Sequence, residues 1–118
     1  MQHPFEQFRE KRLQGNEKLL ETNNLVTKRL MSLDKQAYGD SALPKKTKEL
    51  MALTASMVLR CNDCIDYHLE TCVKESLTRD EIDEAIGIAI LVGGSIVIPH
   101  ARHAASSLDF LFAEQLES

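Results

Sequence analysis

Cysteine, cysteine and histidine recur three and four residues apart in Cys61-Asn62-Asp63-Cys64-Ile65-Asp66-Tyr67-His68. On a helix these spacings bring side chains onto one face, about 5–6 Å between neighbours. That separation lies inside the range a disulfide requires, so the two thiols form a reversible two-electron couple. His68, one turn beyond Cys64, is placed to take a thiol proton. Asn62 or Asp63 is expected to cap the helix, leaving Cys64 in its first turn, where unpaired amides and the dipole lower a thiol pKa. The carboxylates of Asp63 and Asp66 oppose that ionisation. Spacing alone leaves other uses open. Cys61, Cys64 and His68 joined by His100 or His103 would make a zinc site, although the second close pair of a zinc ribbon is missing. The thiols would be inert if the fold served only as an interaction module.

The elements that must position this octad read as helices. His3 to Asn23 is charged and helix-forming, with Phe5, Phe8, Leu13, Leu19 and Leu20 as apolar anchors. Leu25 to Ala37 is a second helix, with Leu25, Leu30, Leu33 and Ala37 expected toward the core, and Tyr38-Gly39-Asp40-Ser41 is turn chemistry. Pro44 suits a first helical position, and Leu50, Leu53, Thr54, Met57 and Val58 then recur at helical spacing. The octad opens a helix from Asp63 to about Glu75. Thr78-Arg79-Asp80-Glu81 is a capping-box pattern, leading a face of Ile82, Ala85, Ile86, Ala89 and Ile90. Gly93-Gly94 ends that helix, and a last one runs from about Ile96 to Gln115 with Pro99 in its first turn. The expected class is all-α, about six helices. From Ile86 to Val92 the fifth helix is apolar on every side, which points to burial against another subunit.

A wider pattern joins these residues. Glu49, eleven residues, Cys61, two residues, Cys64, three residues, His68 resembles the signature of the carboxymuconolactone decarboxylase superfamily, in its alkylhydroperoxidase D-like branch. Leu91-Val92-Gly93-Gly94-Ser95-Ile96-Val97-Ile98-Pro99 is similar to the Gly-Gly and Pro segment that follows in those proteins. The matches extend from about Leu43 to Ala105. The resemblance implies an all-α bundle assembled as a homotrimer or homohexamer. It also implies peroxide reduction or disulfide reduction without a prosthetic group. Cys64 would be the peroxidatic thiolate, Cys61 the resolving thiol, and Glu49 with His68 the proton relay. A dithiol protein or lipoyl group would restore the pair. One departure is Asp63, where the family's best-known peroxidase carries His. The relay also makes a geometric demand. On one unbroken helix Glu49 and His68 lie about 28 Å apart, so the helix must break near Arg60 to Asn62 and fold back, or the pairing must cross subunits.

Composition sets the remaining bounds. The 118 residues fit a single domain, 1–118, and 43% apolar with 27% charged residues is ordinary globular material. A net charge of −4 argues against nucleic acid or an anionic membrane as partner. The longest uncharged run, Ile86 to Pro99, is shorter than the roughly 18 residues of a membrane span. With no apolar N-terminal stretch and a close cysteine pair, the expected location is the cytoplasm. Cys72 reads as a small buried hydrophobe, His100 and His103 as helix-surface or interface residues, and Lys45, Lys46 and Lys48 as a solvated turn.

Overall fold

The computed structural model describes residues 2–117. Six α-helices follow one another: α1 Pro4–Glu21, α2 Leu25–Ala37, α3 Lys45–Val58, α4 Asn62–Lys74, α5 Arg79–Gly93 and α6 Ile98–Glu117, with a 3-10 turn at Ser95–Val97 before α6. The fold is all-α, and no described helix is long and apolar enough to cross a membrane. Helix α3 packs against α4 and α5, and α4 packs against α6. Leu53 and Met57 of α3, Ile65 and Leu69 of α4, Ile82 and Ala89 of α5, and Ala104 and Leu108 of α6 fill the space between them. The capping box forms as expected: the Thr78 side chain accepts from the Glu81 N–H, and Glu81 accepts from that of Thr78. The glycine pair ends α5 for two different reasons. Gly94 has φ 85°, and a Cβ on Gly93 would collide with the Val97 side chain while only touching Val58 of α3.

The first two helices depart from the sequence reading. Only the start of α1 joins the core. Phe5 is buried beside Phe110, and Arg9 bonds Glu70 of α4 at 2.5 Å and both Glu114 oxygens of α6 at 2.7 Å. Leu13, Leu19 and Leu20 are exposed, and so are Leu25, Leu30, Leu33 and Ala37 of α2, which buries no residue at all. The apolar spacing does produce the helix, but within the chain α2 touches chiefly α1. A stripe of leucines dictates that a face be covered, not by which chain. Pro44 stands one residue earlier than expected, as the N-cap of α3. The cap hydrogen bond comes instead from Asp40, whose Oδ1 accepts from the Lys45 N–H at 2.7 Å. Lys48 is not simply solvated: its Nζ donates to Ala37 O, Gly39 O and Ser41 Oγ, tying the end of α2 to α3.

Candidate active site

The break demanded between Glu49 and His68 is built by backbone hydrogen bonds. Helix α3 ends with Arg60 at φ 61°, the left-handed conformation that reverses a helix end. Arg60 N donates to Met57 O and Cys61 N to Ser56 O, the paired bonds of a Schellman motif. Cys61 then turns at once into the N-cap of α4, its sulfur accepting from the Cys64 N–H at 3.3 Å. The cap is therefore Cys61 and not Asn62 or Asp63, which occupy the first turn. The sulfur is placed as a Ser or Thr hydroxyl would be, a role that residue statistics do not assign to cysteine.

Folding back brings the two ends of the signature together. His68 Nδ1 lies 2.8 Å from Glu49 Oε2. Glu49 is only 2% exposed and His68 9%. A carboxylate so buried costs several kcal/mol, on the order of magnitude seen for lone buried ions, unless it is paired. With Glu49 ionised, Nδ1 carries the proton and donates it, leaving Nε2 as the ring's exchangeable site. Tyr67 and Tyr38 flank the ring, centroids 5.0 and 5.6 Å away. Burial raises both phenol pKa values, with the Glu49 charge adding to the effect. Neither tyrosine stands out in the sequence; Tyr38 reads there as part of a turn.

Cys61 and Cys64 are joined as a disulfide, Cα atoms 5.3 Å apart. Cys64 is exposed and Cys61 half-buried. Cys64 and His68 line one cavity of about 560 Å3 together with Tyr67, Asp63 and residues of α1. An adjoining cavity of the same size carries Glu49, Tyr38 and the inner face of α2. Cys72, by contrast, is fully buried, and its thiol is pushed up to about 12, by burial first and by the Glu49 charge second. It stays protonated and takes no part.

His100 and His103 have partners that spacing did not reveal. His103 Nε2 lies 2.9 and 3.0 Å from the two oxygens of Asp66, and Ser107 Oγ donates to the same carboxylate at 2.6 Å. His100 Nδ1 lies 2.8 Å from Asn62 Oδ1. Burial raises the Asp66 pKa, while Ser107 and His103 pull it back down. Both pairs join α6 to the first turns of α4. Their histidines face those partners instead of completing a tetrahedron on the cysteines, and no metal-binding cluster of three or more such side chains exists among the described residues.

The family follows from these features and from likeness to known proteins. Residues 25–107 match the model of the carboxymuconolactone decarboxylase family. The chain belongs to that family, in its alkylhydroperoxidase D-like branch. A family protein from Thermotoga maritima, for which a part in the antioxidative response has been suggested, is 50% identical with a TM-score of 0.89, covering 94% of each chain. A family protein from Legionella pneumophila, solved in its apo form, is 30% identical with a TM-score of 0.85, covering 92% of this chain and 96% of that one. Among curated relatives, protein 4 of the cox locus of Paracoccus denitrificans is 34% identical over 79 residues, 67% of this chain and 71% of its own. The alkyl hydroperoxide reductase AhpD of Corynebacterium kroppenstedtii is 36% identical over 64 residues, 54% of this chain and 37% of that protein.

Proposed function

We propose that this protein is a thiol-dependent peroxidase that cycles Cys64 and Cys61 between dithiol and disulfide. The observation that carries the reading is the disulfide-linked pair whose exposed member, Cys64, opens onto the same cavity as the Glu49-bonded His68. The Cys64 thiolate attacks the terminal oxygen of a hydroperoxide, the O–O bond breaks, and the leaving alkoxide takes a proton relayed through His68. Cys64 is then a sulfenic acid. Cys61 attacks its sulfur, the S–S bond forms, and the hydroxyl leaves as water with the second proton. One dithiol and one hydroperoxide give one disulfide, one alcohol and one water. The N-cap position suits Cys61 to the resolving role, because the Cys64 N–H supports negative charge on its sulfur. A cytoplasmic dithiol or lipoyl-type protein returns the two electrons by exchange.

The test is intact mass after thiol alkylation, on reduced protein before and after one equivalent of hydroperoxide. Loss of two alkylatable thiols, mapped to Cys61 and Cys64, is the expected result. Cys64→Ser should abolish peroxide consumption, and Cys61→Ser should permit a single oxidation without turnover. Equal consumption by wild type and Cys64→Ser would overturn the assignment.

The same reading includes assembly as a homotrimer or homohexamer. Supporting it, Leu25, Val26, Leu30 and Leu33 lie uncovered on α2, while Leu91 and Val92 lie uncovered on α5. An apolar groove of about 620 Å3 runs between α3 and α5, lined by Leu50, Met51, Ile88 and Val92. So many large apolar side chains in water exceed what a monomer ordinarily carries in patches. Copies of the chain that seat α2 in the groove would cover both.

A further inference from the structure

The cavity in front of Cys64 is much larger than the smallest peroxide needs. Hydrogen peroxide is little bigger than water, which takes roughly 30 Å3 of liquid volume. Each of the two adjoining hollows encloses about 560 Å3, and they share Arg12, Asn16, Asp34 and Tyr67. That is the scale of a pocket for an organic molecule. Phe8 and Leu19 give the part nearest Cys64 an apolar wall.

The charged groups of this cleft are unequally committed. Arg12 lies with its guanidinium carbon 4.3 Å from the centre of the Tyr67 ring. Among the described residues it has neither hydrogen bond nor ion pair, and Lys11 beside it is equally unpaired. Stacking fixes the plane of the guanidinium and leaves its N–H edge free, the fork that matches a carboxylate. The same wall carries two acids, Asp63 and Asp34. Asp63 sits in the first turn of α4, where the amides and dipole favour it. Asp34 faces the phenols, contributing to the raised pKa of both Tyr38 and Tyr67. One hollow thus brings Cys64 together with two unpaired cations and an apolar wall, alongside the two acids, and of these charged groups Arg12 is the one whose plane is fixed by stacking.

We infer that Arg12, with Lys11, is a docking site for a carboxylate, and that the substrate of Cys64 is an organic hydroperoxide with an apolar body and a carboxylate end. The substrate class rests on the peroxidase reading; the anion site does not. Reduced protein is alkylated with iodoacetate and with iodoacetamide, reagents of similar size that differ by one negative charge, and modification of Cys64 is followed by peptide mass. The ratio of the two rates is expected to fall about fivefold in Arg12→Gln. It should be largely kept in Arg12→Lys and should shrink in the wild type as salt rises. The same proteins then receive linoleic acid hydroperoxide and its methyl ester. Wild type should prefer the acid, and Arg12→Gln should lose that preference. An alkylation ratio unchanged by Arg12→Gln, or acid and ester consumed alike by wild type, would overturn the inference. Alkylation needs no peroxide chemistry, so the two readings fail separately. A protein that reduces neither hydroperoxide yet keeps an Arg12-dependent preference for iodoacetate refutes the peroxidase and upholds the carboxylate site.

Discussion

At the scale of single residues, the proposed chemistry turns on the pairing of Glu49 with His68. Glu49 bonds Nδ1 of the His68 ring where both side chains are buried, and in the proposed reaction this bond would orient the ring. Glu49→Gln keeps the shape and removes the charge. We expect it to slow oxidation of Cys64 about a hundredfold, the usual scale for losing a positioned acid–base group, measured by stopped-flow with a fixed hydroperoxide. An unchanged rate would assign the pair to stability alone. These two residues were legible only as a spaced pattern. Glu49 by itself, following Lys45, Lys46 and Lys48, looks like any surface carboxylate, and nothing local announces that it is buried. Tyr38 was not legible beside the ring, because it meets His68 only when the end of α2 packs against α4; Tyr67 is the chain neighbour of His68, and nothing in the spacing signalled that it flanks the ring.

At the scale of elements, the reversal between α3 and α4 does what a straight helix cannot. Arg60 adopts a positive φ that a side chain tolerates poorly and glycine does not. Arg60→Gly is therefore expected to stabilise the fold by about 1 kcal/mol, seen as a higher midpoint in urea at unchanged slope. A loss of stability would mean that the arginine side chain contributes more than its backbone costs. Helix positions were well legible here, because capping boxes, glycine pairs and apolar periodicity act locally and the structure obeys them in α3 to α6. The identity of the cap was not. A cysteine that ends one helix and begins the next is specified by the backbone bonds of Ser56 and Met57, which only the folded turn displays.

At the scale of the whole molecule, two features set its response to solution conditions. Arg9 gathers α1, α4 and α6 by bonding Glu70 and Glu114, and its hydrogen bonds hold the Glu114 carboxyl below the usual 4.5. A lowered folded pKa contributes stability above pH 4.5 that is lost as pH falls through the folded value. Glu114 is about half exposed, so the contribution is screened and amounts to less than about 1 kcal/mol. Glu114→Gln should accordingly lower stability at neutral pH by up to that amount and flatten the acid limb of a stability–pH curve; an equally steep acid limb in the variant would remove Glu114 from the account. The second feature is the uncovered apolar surface. Leu30→Asp on α2 and Leu91→Asp on α5 are each expected to convert the assembly to monomer, measured by light scattering. Wild type that is itself monomeric at micromolar concentration would end the proposal. The spacing of Leu30 was read as facing this chain's own core, and the structure leaves it exposed; the all-round apolar run from Ile86 to Val92, which holds Leu91, was the segment that pointed to another subunit.

The shared cap at Cys61 also bears on how this sequence is free to vary. Closing α3 and opening α4 through one residue leaves no loop between the two helices to absorb a change of length. Each residue inserted into a helix turns everything after it by about 100°. An insertion or deletion anywhere from Glu49 to His68 would thus swing Cys64 away from the cavity or part His68 from its carboxylate. Substitutions outside Glu49, Cys61, Cys64 and His68 leave that geometry standing, whereas a change of length does not.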